Sequence, residues 1–67
     1  MKRYQVHYGP SINDYETSEW FTKSNAMRYA RALNDPYVRV DEWEVEKVGP
    51  GEYDGDYVNT IYEKKGG

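Results

Sequence analysis

His7 is the only histidine in the chain and cysteine is absent. Any nucleophile–base pair of the Ser-His type would therefore have to run through this one imidazole. It lies mid-way along an alternating segment, on the polar side, with Ser11, Ser18 and Ser24 near it only by chance. A solvated surface histidine is the expectation. The same count excludes a zinc site of the usual Cys/His type. Carboxylates are the other groups able to do chemistry. Glu52, Asp54, Asp56 and Glu63 stand at positions 1, 3, 5 and 12 of a calcium loop. Tyr57, however, falls where such a loop needs glycine for its sharp turn, and strand-forming segments flank it. Paired carboxylates can hydrolyse a substrate only in a pocket that raises one pKa, which two layers of this size rarely make. Glu42, Glu44 and Glu46 alternate along a strand and read as a solvated stripe that guards an edge. No catalytic residue, metal or cofactor is expected, and the chain does not read as an enzyme.

What remains is binding. Eleven of the 67 residues are aromatic, eight of them tyrosine, more than so small a core needs. Surplus Tyr and Trp on a surface favour contact with a partner. Charge is uneven: residues 1–36 carry five basic and four acidic groups, residues 37–67 four basic and eight acidic. Within 41–57 seven carboxylates face Lys47 alone. Spaced carboxylates can steer toward a basic groove much as phosphates do. The candidate surface for protein–protein contact is thus Asp41, Glu42, Trp43, Glu44, Glu46, Tyr53, Asp54, Asp56 and Tyr57, and the partner is an unidentified protein with a basic groove. The alternative is nucleic-acid binding through Lys23, Arg28 and Arg31, joined by Lys2 and Arg3. Against it stand the net charge of −3 and an acidic stretch that repels phosphate.

The elements that must position these residues follow from periodicity. Tyr4, Val6 and Tyr8 alternate with Arg3, Gln5 and His7, predicting a half-buried strand over 2–8 that ends at Gly9-Pro10. Residues 9–16 are turn-rich and read as a loop, and 17–22 as a short second strand with Trp20-Phe21 partly buried. Thr22 or Ser24 can cap a helix whose Ala26, Tyr29, Ala30 and Leu33 share one face, with Asn34-Asp35-Pro36 stopping it. A long strand over 37–48 has a break of phase, since Val38 and Val40 share one parity while Trp43 and Val45 share the other. A bulge near Asp41-Glu42 would bring all four to the core; without it Trp43 is displayed on the far face. Gly49-Pro50-Gly51 breaks the strand, an acidic loop spans 52–56, and the last strand runs over 57–64. The sum is β-β-α-β-β: a small two-layer α+β domain, an antiparallel sheet of three to four strands with one helix on one face. The other face is expected open to water, carrying Arg3, Gln5, His7 and either Tyr57 or Tyr62.

Length allows one domain, assigned to 1–65 with Gly66-Gly67 as a flexible tail. A core this small supplies about 3–5 kcal/mol, so little is left to support a strained site. The longest apolar run is two residues, too short for a membrane span or a signal-peptide core. Lack of cysteine suits a reducing cytoplasm. An edge strand could join two copies. The closing Gly66-Gly67 resembles the end of ubiquitin-like sulfur carriers, which implies a carrier role as a distant alternative. That resemblance covers two residues, and the apolar layout does not follow their fold. In style, short and aromatic-rich with one helix on a small sheet, the chain resembles accessory or inhibitor proteins of bacteriophages and bacteria. No motif carries that likeness.

Overall fold

The computed structural model describes residues 1–66. Strand β1 (Lys2–Ser11), strand β2 (Asp14–Thr17), helix α1 (Lys23–Ala32), strand β3 (Tyr37–Gly49) and strand β4 (Glu52–Lys65) follow in that order. The strands form one open antiparallel sheet in the order β2-β1-β3-β4. The β-β-α-β-β order and the α+β class match the expectation from periodicity. Thr22 caps α1, its Oγ1 accepting from the Asn25 N–H at 3.4 Å. Ala26 and Ala30 are buried against Tyr4, Val6, Val38 and Val40, with Phe21, Tyr29, Leu33 and Tyr62 packed around them. The two alanines bring the helix axis close to the sheet, so this face holds the apolar core. No helix among the described residues is long and apolar enough to cross a membrane.

Three expectations are corrected. First, β1 does not end at Gly9-Pro10 but continues to Ser11, and β2 begins at Asp14 inside the segment read as a loop. Gly9 makes this possible: a Cβ there would lie 2.8 Å from Tyr15 Cα and closer still to the Asp14 carbonyl oxygen. Pro10 is tolerated because the β1–β3 pairing ends at Gly9↔Tyr37, leaving no bond for its missing N–H. All four β2 residues are exposed, which is why no apolar alternation marked the strand. The segment read as the second strand instead trails along the same edge. Ser18 N–H donates to the Val6 carbonyl at 2.8 Å, and Phe21 exchanges backbone bonds of 2.8 and 2.9 Å with Tyr4.

Second, residues 52–56 are strand rather than loop. The β3–β4 turn is only Pro50-Gly51, with Gly51 at φ 70° in the left-handed region that favours glycine. Third, the bulges near Asp41-Glu42 lie in β4 rather than β3. Asp41 pairs with Thr60 after Val40 pairs with Tyr62, and Trp43 with Tyr57 after Glu42 with Asn59, leaving Ile61 and Val58 as the extra residues. β3 itself stays in register with β1 from Tyr37 to Glu44. Val38 and Val40 therefore face the helix, while Trp43 and Val45 face away.

Candidate protein-binding surface

The face away from the helix is not the open face expected of two layers. Tyr37 and Val45 are fully buried on it, and His7 and Asp41 are 6% and 4% exposed. Tyr15 of β2 folds over it, its ring 5.3 Å from the His7 ring and 5.9 Å from that of Tyr37. His7 is thus no surface histidine. Its Nδ1 lies 2.9 Å from Thr17 Oγ1. Its Nε2 lies 3.1 Å from Asp41 Oδ2, at an angle too bent for a good hydrogen bond. Asp41 also accepts from Arg39 Nε at 3.1 Å and from Thr60 Oγ1 at 2.8 Å. Arg39 donates in turn to Tyr37 Oη at 2.9 Å. Burial, and then the nearby Arg39 charge, hold the His7 pKa below its ordinary value despite the pull of Asp41. A neutral imidazole at neutral pH follows. Thr17, His7 and Asp41 line up as nucleophile, base and orienting acid would. The Tyr15 ring packs edge-on against the His7 ring. The row reads as a structural polar cluster.

The acidic residues divide among three places. Asp41 belongs to the buried cluster. Glu42 is half-buried on the helix side, accepting from Tyr4 Oη at 2.7 Å and Asn59 Nδ2 at 2.8 Å. That bond is the first cause of a raised Tyr4 pKa, because it favours the protonated phenol. Neither carboxylate is free to meet a partner, which corrects their place in the candidate surface.

Glu44, Glu46, Asp54 and Asp56 are exposed and do come together. β1 stops opposite Glu44, so β3 and β4 run on as a two-stranded ribbon past its end. Glu44, opposite Lys2, pairs with Asp56 at the base of that ribbon, and Glu46 pairs with Asp54 within it on the same face. They line an open depression of about 430 Å³ with Met1, Val45 and Gly55. The Met1 ammonium reaches Glu44 at 3.3 Å and Lys2 Nζ reaches it at 3.6 Å. Like charges directly opposite are destabilising, and these two contacts offset part of that cost at Glu44 alone. Among the described residues, no group of three or more His, Asp or Glu is placed to hold a metal ion. Glu52, Asp54, Asp56 and Glu63 are carried by an extended strand.

The ribbon's other face is aromatic. Trp43 lies edge-to-face with Trp20 at 5.8 Å and with Tyr57 at 6.0 Å, and Trp20 meets Tyr53 at 6.1 Å. Arg3 packs over the Tyr53 ring at 5.2 Å. Tyr57 is 52% exposed. Gly55 lets the strands close beside these rings, since a Cβ there would lie 2.6 Å from Val45 Cα. Trp20 is a member that sequence reasoning missed, whereas Arg3 lies on the face expected of it. Trp20 was detectable, because its neighbour Phe21 takes the core side and alternation sends Trp20 to the other.

Lys23, Arg28 and Arg31 are exposed on α1 as expected. Lys2 is held by Glu44 and Arg3 by Tyr53, so the wider basic footprint is divided between two faces. Among the described residues, Gly66 N–H donates to the Pro36 carbonyl; Gly67 lies outside them. Comparison with known proteins finds no matching family model, curated protein or solved structure.

Proposed function

We propose that this domain is a non-enzymatic binding module that docks a partner protein on the β3–β4 ribbon. One observation carries the reading. The β3–β4 hairpin carries four exposed carboxylates on one face and Trp43, Tyr53 and Tyr57 on the other, Trp43 and Glu44 opposite the start of β1 and the rest running past it. Carboxylates held in excess of nearby cations complement a basic groove, and aromatic rings behind them supply the area a hot spot needs. Among the described residues none of the helix cations Lys23, Arg28 and Arg31 packs over an aromatic ring, and a nucleic-acid surface joins cations to stacking rings.

The test is affinity capture from a nuclease-treated lysate at low and high salt. Wild type is expected to retain a protein that Glu46→Lys with Asp56→Lys loses, and that raised salt releases. Retention of the same species by the charge-reversed variant would sink the reading. Recovery that disappears with nuclease, or with Arg28→Ala and Arg31→Ala, would shift the assignment to nucleic acid.

A further inference from the structure

β4 has a lateral neighbour on one side only, and its outer edge runs 14 residues. Every residue from Asp54 to Thr60 is exposed, including Val58, 41% exposed at a bulge. Such an edge offers unpaired backbone N–H and C=O groups to another strand. Its charge is polar along its length: Glu52, Asp54 and Asp56 lie at one end, and Glu63, Lys64 and Lys65 at the other, where Glu63 takes Lys65 at 3.9 Å and leaves Lys64 in excess. A strand of that kind complements itself when paired antiparallel. We propose that two copies of this chain join through their β4 edges about a two-fold axis at Asn59, with Asp54 of each copy against Lys64 of the partner subunit.

Face and phase support that register. Asp54 pairs with Glu46 and Lys64 with Val38, eight residues apart on a stretch of β3 that carries no bulge. The two bulges in β4 cancel, so Asp54 and Lys64 both point to the helix side. A two-fold axis perpendicular to the sheet keeps the helix sides of both copies together. A slip by one residue would set each lysine on the face opposite its carboxylate. With Asp54 against Lys64, Glu52 and Asp56 sit diagonally beside the same lysine, within reach of it. Tyr53 then meets Lys65 on the far face. The product is a continuous eight-stranded sheet with both helices on one side. Glu44 and Glu46 stay exposed in it, whereas Asp54, Asp56 and Tyr53 are shared with the proposed docking surface, and the mass of the protein alone in solution reads the pairing without any captured partner.

The experiment is light scattering on the eluting protein from about 10 µM to about 1 mM at low ionic strength, where charge pairing is least screened. The mass of wild type is expected to climb toward twice the monomer. Asp54→Lys and Lys64→Glu are each expected to stay monomeric, and the two together to restore the dimer, because every pair is then reversed. Far-UV circular dichroism unchanged from wild type shows that each variant is folded. A wild type that stays monomeric throughout overturns the proposal. So does dimerisation of Asp54→Lys equal to wild type, or a folded double variant that remains monomeric.

Discussion

Asp41 holds His7, Arg39 and Thr60 together from a nearly closed position beneath Tyr15. Removing one partner of a buried pair leaves the other charge uncompensated, at a cost of about 3–5 kcal/mol. That is the whole stability of a core this size. Asp41→Ala is therefore expected to leave the chain largely unfolded in a urea titration at neutral pH. Asp41→Asn, which keeps the shape and an acceptor for Thr60, should cost less. His7 adds a pH dependence. Its pKa is lowered in the folded state, so as pH falls the unfolded chain binds the proton first. The contribution of His7 is present in full above the ordinary histidine value of about 6.5 and is lost as pH falls below it. The melting temperature should drop between about pH 7 and about pH 5, and His7→Gln should flatten that drop. A wild-type curve level across this range would contradict the buried, neutral imidazole.

At the scale of elements, the helix and the central strands were legible because their signals are local and redundant. Thr22 as cap, Ala26 and Ala30 on one face and Pro36 as stop agree with one another, as do Tyr4, Val6 and Tyr8 in β1. Thr22→Ala should cost about 1 kcal/mol in urea unfolding through the lost cap. β2 was not legible, since Asp14–Thr17 is wholly exposed and is held by backbone pairing and the Tyr15 ring. Nor was the long ribbon, because the charges of 52–56 look like a loop until their partners on β3 are known. The bulges at Ile61 and Val58 depend on that pairing too. So did the place of Asp41 and Glu42: alternation grouped them with the exposed carboxylates, and only the opposing strands reveal their partners. Gly55 is the ribbon's sensitive point. Gly55→Ala is expected to disrupt pairing near Val45 and to abolish partner capture while α1 and its core survive. Hydrogen exchange would show this as lost protection in residues 44–57 alone. Retained capture by a folded Gly55→Ala variant would argue that the ribbon's geometry is unimportant.

The whole molecule is elongated, 37 × 22 × 20 Å. Its helix is packed against β1 and β3, while the acidic ribbon extends beyond the end of β1. Core and proposed docking surface are thus separate, and charge on the ribbon can change with little effect on the apolar core. Glu46→Lys is expected to leave stability unchanged or slightly raised, since it removes the repulsion from Asp54 opposite. The same change should weaken partner binding at low salt. The most direct test of the account is hydrogen–deuterium exchange on the domain, alone and bound to the protein it captures. Added protection is expected in Glu44–Tyr57, with Asn25–Arg31 unchanged. Protection on the helix, with the ribbon unaltered, would contradict it.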